Sequence, residues 1–598
     1  MINFSKNRTT NYFKHFNVQF IFPYLFIIFL VFFSRFLFIN DFGLYEDDWA
    51  FSGTAISNNL AQNWIRLRAS LGSFWQGRPL HMTFLTFIPF IGAKLGGIRA
   101  LYLIGFTILS LNGCLWYSLV KKITKKKNVA IIASLLFVLY PADTTFGLLQ
   151  HLIGIQTALL FLIIAFHVYI SSSEKHKLNY FSKPISYVFA TLSLLNYESL
   201  FLIFFTASLL NNPKSTKKEK LYHFLTLTII LVIYLFLRKL AGESRISGIT
   251  GLQLIQKVIY QVFWGPLIAF YSFFKRPIEV VSSPRVENII IFCIGLILFF
   301  IVLKYLFKKQ FSQNNILADL NVFQEFWRLS GTGLLMTILA YPSALLLSVH
   351  DINGRASRVH FSAALGITLT LVCIWGIAFY ITHLHKFWHT LLILLLSIHL
   401  SFLLTFSINV QQYYKMSWQY QQAFWHDVFT LVPDIKEGTI ILVQAPGLAW
   451  GKQIHPFDWS LPMVLESIYD FPDDWQFPPR IYRLNSNLVE SEQWKDKIIK
   501  DRKLVLSGKN DGLFFYFPWE PERIVEPQDV VLLVEEQGQL VRKEQIETMA
   551  GEIIGLKPKT NDQSTLDLPT TVIFEHLMPP SDCDYCSSVP RIYFQPQE

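Results

Sequence analysis

The chain has 598 residues, of which 52% are hydrophobic and only 16% charged, and its mean hydropathy is +0.36. A soluble globular protein carries about 25% charged residues, so a chain solvated mostly by water is excluded. The net charge of +10 comes from Lys and Arg at the ends of apolar stretches, as in residues 121–127, which points to anionic lipid and away from nucleic acid.

Apolar stretches of about 20 residues, enough for a helix to cross a bilayer core of about 30 Å, recur over the first two thirds of the sequence. Residues 20–38 are the first. They are too long for a signal-peptide core and no small-residue cleavage site follows, so they read as a retained span, with Arg35 near enough to its end to snorkel. Lys6, Arg8 and Lys14 precede it, which puts the N-terminus in the cytoplasm and residues 39–79 outside. Residues 80–95 contain Pro89 and are short for a span. Counting them as a crossing would put the lysines of 121–127 outside, so they are expected to lie on or dip into the outer face. Residues 100–120 then return to the cytoplasm.

Residues 129–149 and 152–170 are expected as a hairpin, its outer turn near Tyr140, Pro141, Ala142, Asp143 and His151. The basic residues of 175–183 and 214–220 must share one side. Residues 185–210 are therefore expected as two short spans folded at Asn196-Tyr197-Glu198, with Glu198 at the outer turn. Residues 221–240 go out, and 242–284 form a second outer loop with an amphipathic or partly embedded part at 255–274. Residues 288–307 return to Lys308-Lys309, 330–349 go out, 361–381 come in and 390–408 go out. The expectation is an α-helical polytopic membrane protein with about eleven spans, N-terminus in and C-terminus out.

From Gln411 the composition becomes that of a water-soluble domain, rich in Pro, Asp, Glu and Trp. Runs at 439–444, 504–506 and 530–534 predict strands of a small α/β or mainly β unit. The expected division is a membrane part, 1–410, and an extracytoplasmic domain, 411–598. Nothing in that domain has the spacing of a nucleotide-binding or hydrolase motif. Cys114, Cys293 and Cys373 lie in apolar helices and read as buried thiols. Cys583 and Cys586 form a C-x-x-C with no second pair. Half a zinc site is one reading; a Cys583–Cys586 disulfide is the expectation if the domain faces an oxidising space.

With this topology the unusual polar groups gather outside. Glu46-Asp47-Asp48 follows the first span. Three adjacent carboxylates repel one another, so at least one should hold its proton more tightly unless a cation or metal is near. That suits a general base or a divalent-cation ligand at Asp47 and Asp48, although from these residues alone a solvated loop start reads equally well. Gln76-Gly77-Arg78-Pro79-Leu80 closes the same loop. Asp351, Arg355 and Arg358 emerge on that side, as do Arg238, Lys239 and Arg245. Arginines held outside run against the positive-inside bias, and a phosphate supplies a reason through paired charge-assisted hydrogen bonds; contact with lipid headgroups is the plainer alternative. An ionisable group at a membrane turn is costly to bury. Glu198 is therefore a substrate-binding candidate, with capping of the short helix pair an equal reading. Asp143 and His151 complete the candidates.

This constellation resembles the GT-C superfamily, integral membrane glycosyltransferases that use polyprenyl-phosphate sugars. The resemblance rests on Asp47-Asp48 in the first outer loop, on Gly77-Arg78-Pro79-Leu80 at the entry to a surface helix, on the late Asn353-Gly354-Arg355, and on an outer C-terminal domain. The pairing of Tyr45-Glu46-Asp47-Asp48-Trp49 with Gly-Arg-Pro-Leu looks closest to bacterial glucosyltransferases that decorate surface polysaccharide. Asp-Asp stands where protein mannosyltransferases have Asp-Glu, and the oligosaccharyltransferase Trp-Trp-Asp sequence is absent, which argues against protein N-glycosylation. The resemblance implies transfer from a polyprenyl-phosphate donor to an extracytoplasmic acceptor with inversion at the anomeric carbon. It makes Asp47 the base, with Asp48 positioning the acceptor or a divalent cation, and Arg78, Arg355 and Arg358 holding the phosphate. A transporter or flippase of lipid-linked glycans is the alternative; it should show paired interrupted helices in two related halves, and no internal repeat is visible.

Overall fold

A computed structural model of the chain describes residues 18–172, 179–210, 216–242, 251–283, 285–307, 319–345, 348–382, 385–445, 448, 453–484, 499–500, 503–506, 523–536, 539–547, 551–559 and 568–578. Arg245, Cys583 and Cys586 lie outside them. Among the described residues seven helices are long and apolar enough to cross a membrane: Ile21–Asp41, Pro79–Thr124, Gln150–Ser171, Lys217–Leu240, Val286–Phe307, Arg355–Ile381 and Lys386–Leu431. They coincide with seven of the expected spans.

The other expected spans come out shorter, shifted or broken. Residues 129–149 are helical only over Lys127–Val138, about 18 Å of rise. Beyond it Pro141 has no amide hydrogen to give, and Asp143 takes the amide and hydroxyl of Thr145. Residues 185–210 break at Tyr197, which is extended between the helix Asn179–Asn196 and the 3-10 stretch Glu198–Thr206, so the fold at Asn196-Tyr197-Glu198 is present. The helix expected at 330–349 is instead Asp319–Leu339, which carries Asp319, Glu325 and Arg328 and stops ahead of Pro342. The break expected near residue 97 is also present, since Pro79–Thr124 is interrupted by non-helical Gly96 and Gly97.

The helices turn apolar sides outward. Lys217–Leu240 and Val286–Phe307 bury 17% and 22% of their apolar windows, against 72% for Gln150–Ser171. Along Gly251–Ser282, Leu252, Ile259, Phe263, Phe274 and Ile278 are exposed while Gln261, Ser272 and Arg276 are buried. Water would make so continuous an apolar face a liability. Lipid solvates it, provided that polar groups find partners inside. Arg35 follows that rule and does not snorkel. It is 5% exposed, lies over the ring of Phe146, and donates to the carbonyls of Val138 and Tyr140, which the end of Lys127–Val138 leaves without helical partners.

Lys386–Leu431 has 46 residues, about 70 Å of helix, more than twice a bilayer core. The boundary expected at 410/411 falls inside it, so the change of composition there is a change of the helix's surroundings and not a linker. Past that point Gln411, Tyr414, Trp418, Gln421 and Trp425 form one buried stripe at the three- and four-residue spacing of a helix face. The stripe fastens the loop after the first helix. Gln411 accepts from the amide of Leu37 and donates to the Phe33 carbonyl, the Tyr45 hydroxyl donates to the Tyr414 carbonyl, and Gln421 donates to the Leu44 carbonyl. Gly43 lies flat on Trp418, where a Cβ would stand 1.8 Å from the indole.

The C-terminal region contributes a four-stranded sheet in the order Arg480–Arg483, Ile440–Gln444, Val530–Glu536, Gln539–Lys543, parallel except for the last pair. Alternation sends Ile441, Val443, Val531 and Leu533 into the same core as the helices, and Ile440, Leu442, Val530 and Leu532 into a smaller one behind. The expected strands at 439–444 and 530–534 are thus in one sheet, and Lys503–Leu506 belongs to a separate three-stranded one. Buried Arg542 ties the sheet edge to Asp434 at 2.9 Å and to the Leu431 carbonyl that ends the long helix.

Candidate functional site

The acid triplet is splayed by its own backbone. Glu46 has φ 45°, a left-handed conformation that a side chain tolerates only when its surroundings enforce it and that gathers at functional sites. Its amide donates to the Pro456 carbonyl and its own carbonyl accepts from the Ser460 hydroxyl. The three carboxylates therefore meet different partners. Glu46 Oε1 accepts from the amide of His455 at 2.9 Å, with Arg355 Nε 3.8 Å from Oε2. Asp47 Oδ1 accepts from Arg355 Nη1 at 2.6 Å and from Trp459 Nε1 at 2.5 Å, while Oδ2 has Arg358 Nη1 at 3.7 Å.

Asp48 turns the other way. Its two oxygens accept from the amides of Leu149 and Gln150, at 3.0 and 2.8 Å. Those amides open the π-helical turn Gln150–Ile155, and Asp48 itself precedes a second one, Trp49–Gly53. Such turns are rare and favour functional sites, and here one carboxylate joins both. Asp48 is fully buried, and burial pushes its carboxyl up to about 7; the Asp47 charge adds to this and the two amides oppose it. The mutual repulsion expected of the triplet is met by arginines at Asp47 and by the raised carboxyl of Asp48. Among the described residues Asp47 and Asp48 share no hydrogen-bond partner. Among the described residues no group of three or more His, Cys, Asp or Glu is arranged to hold a metal ion.

The arginines divide likewise. Gly77 has φ 72°, and a Cβ there would stand 2.9 Å from Arg238. Pro79 occupies the first helical position, where a missing amide hydrogen costs nothing. Between them Arg78 pairs with Glu198 through two bonds of 2.6 and 2.8 Å and lies 4.3 Å over the ring of Tyr197. Arg238 stands 3.5 Å from the same carboxylate. Arg78, Arg238, Glu198 and Arg358 line one cavity of about 330 Å³, whose remaining wall includes Leu202, Leu231, Leu235 and Leu345. The cavity joins three guanidinium groups and one carboxylate to an apolar flank.

Asp47, Arg355 and Arg358 thus come together, and Arg78 and Glu198 meet them through the cavity that Arg358 lines. Asp143 is half-buried in its own turn with Thr145. Among the described residues, buried His151 has no hydrogen-bond partner on either ring nitrogen; it lies beside Asp143, Gln156 and Phe361. Asp351 is exposed on the loop that leads to Arg355. Two contributors escaped the sequence reading. Arg276, fully buried in the expected second outer loop just past its partly embedded part, donates to the Ile352 carbonyl and to Asn353 Oδ1 and so fixes the loop that carries Arg355 and Arg358. A charge inside an apolar run was the available signal. Trp459 arrives from the C-terminal region, 412 residues along the chain from Asp47, with no local pattern to mark it. Compared with known proteins, the chain matches no family model, no curated protein and no solved structure.

Proposed function

We propose that the protein is a membrane glycosyltransferase that moves a sugar from a polyprenyl-phosphate donor to an extracytoplasmic acceptor, with inversion. One observation carries the reading: Arg358 lines the arginine cavity and also stands 3.7 Å from Asp47 Oδ2. A base and an anion pocket therefore share one residue, Arg358. The acceptor hydroxyl gives its proton to Asp47 while its oxygen bonds the anomeric carbon. The bond from that carbon to the phosphate oxygen breaks, its electrons pass to the phosphate, and Arg78, Arg238 and Arg358 stabilise the charge that develops. The leucines of the cavity suit the first units of a polyprenyl chain. In this reading the membrane part crosses about eleven times, counting the short and broken stretches, and the acid loop and C-terminal region lie outside.

Purified protein should release polyprenyl phosphate from at least one member of a panel of polyprenyl-phosphate sugars. Release from none, with lipid-linked glycan carried across vesicles instead, would replace the transferase by a transporter. Arg238→Ala removes a cavity charge yet leaves the Arg78–Glu198 pair intact. It should weaken donor binding about tenfold or more, the worth of a charged hydrogen bond. Arg78→Ala should do the same and in addition lower stability by roughly 3 kcal/mol, because Glu198 loses its main partner. Unchanged donor affinity in both variants would remove the phosphate from this cavity. For the topology, a reporter active only in the cytoplasm, fused after Glu598, should stay silent, and a bright signal would reverse the sidedness.

A further inference from the structure

A strap of the C-terminal region runs between the acid loop and the arginine loop. Gln453 donates to Asn353 Oδ1 at 3.1 Å, His455 and Pro456 bond both ends of Glu46, and Phe457 packs among Trp49, Phe424 and Trp425 at 5.7 to 6.0 Å between ring centres. These contacts hold the turn Asp458–Met463, from which the half-buried Trp459 sets its ring edge-to-face against Phe51 and its N–H on Asp47.

We infer that Trp459 is the positioning residue of Asp47, fixing which carboxylate oxygen receives the acceptor's proton; the inference rests on the transferase reading. A carboxylate oxygen offers two in-plane lone pairs. Arg355 and Trp459 fill both on Oδ1. Oδ2 accepts no hydrogen bond among the described residues and meets only the longer contact to Arg358. It is the oxygen left to act as base, on the side of the carboxylate that faces Arg358. The terminal torsion of an aspartate is broad and roughly two-fold, so a carboxylate held by Arg355 alone turns about that single pivot and exchanges its oxygens. The indole supplies the second point that stops it. The C-terminal region thereby completes the site, contributing an orienting donor that the membrane helices lack.

Two substitutions separate this role from packing. Trp459→Phe keeps an aromatic ring against Phe51 and removes the N–H; Trp459→His keeps a ring N–H on a smaller frame. With polyprenyl-phosphate sugar as probe, Trp459→Phe should lower kcat by about ten- to a hundredfold, the scale of a small misplacement of a reacting group, with donor affinity within about twofold of wild type. Trp459→His should recover a large part of the loss. In protein labelled with ¹⁵N-tryptophan, the indole resonance missing from Trp459→Phe should move in Asp47→Asn and stay in place in Glu46→Gln. Wild-type turnover in Trp459→Phe, an indole resonance indifferent to Asp47→Asn, or equal collapse of donor binding in both Trp459 variants would each overturn the proposal. Wild-type protein that releases polyprenyl phosphate from no donor would overturn the transferase reading, and the indole resonance would then decide by itself whether Trp459 holds Asp47.

Discussion

Asp47→Asn should reduce sugar transfer by about 10²- to 10⁴-fold, the range for a lost general base, while donor affinity and thermal stability stay near wild type. The amide oxygen can still accept from Arg355 and Trp459 at the place of Oδ1. The loop therefore keeps its anchors. The amide nitrogen replaces Oδ2, the atom facing Arg358, and it cannot take a proton from an attacking hydroxyl. The loss belongs to the chemical step, so kcat and kcat/KM should fall together with the donor dissociation constant unmoved. Glu46→Gln is the control: its Oε1 acceptor for the His455 amide survives, and its turnover should stay within a few-fold of wild type. Polyprenyl-phosphate release measured beside donor binding decides the matter. Wild-type turnover in Asp47→Asn would remove Asp47 from the chemistry, and a matching loss in Glu46→Gln would mean that the loop, not the base, had failed.

What the sequence disclosed and what it withheld follow the range of the interactions involved. The helix start expected at Gly77-Arg78-Pro79 is present because its determinants are local, a glycine free to take a positive φ and a proline at the first helical position. The breaks at Gly96-Gly97 and at Tyr197 were legible through the sidedness of the lysine runs, a rule about charge that needs no tertiary knowledge. Hydropathy failed at residues 139–149, where an apolar run is followed by Pro141, Asp143, Thr144 and Thr145, and the chain turns there and packs in the interior. Composition likewise changes at Gln411 without a break in the chain, because the helix Lys386–Leu431 runs through it. The arginines were found as a set but not as pairs. That Arg355 serves Asp47 while Arg78 serves Glu198 depends on contacts spanning 308 and 120 residues. Arg35 was misread for the same reason, since its partners are the carbonyls of Val138 and Tyr140.

Asp48→Asn should behave unlike Asp47→Asn, losing stability and activity together, with a stability deficit that depends on pH. In the native fold both oxygens of Asp48 accept backbone amides. Asparagine satisfies one and turns its own N–H₂ toward the other, leaving a buried donor unpaired at a cost of about 1–3 kcal/mol. The turn Gln150–Ile155 loses one of its two fastenings to the acid loop, so transfer should fall as the loop loosens. The pH dependence follows from burial, which raises the Asp48 carboxyl from 3.8 to about 7. Between those values the native state holds a proton that the unfolded chain has released, so stability falls as pH rises. The contribution is fully present below about pH 4, is lost progressively toward pH 7, and is gone above it. Three units correspond to about 4 kcal/mol. Asparagine does not titrate. The deficit of Asp48→Asn relative to wild type should therefore be largest near pH 4 and, because the titration outweighs the about 1–3 kcal/mol of the unpaired donor, should vanish and change sign on the way to pH 8, as read from thermal unfolding in lipid nanodiscs. A deficit that stayed constant or widened over that interval would mean that Asp48 folds as the carboxylate, with the amides of Leu149 and Gln150 outweighing its burial.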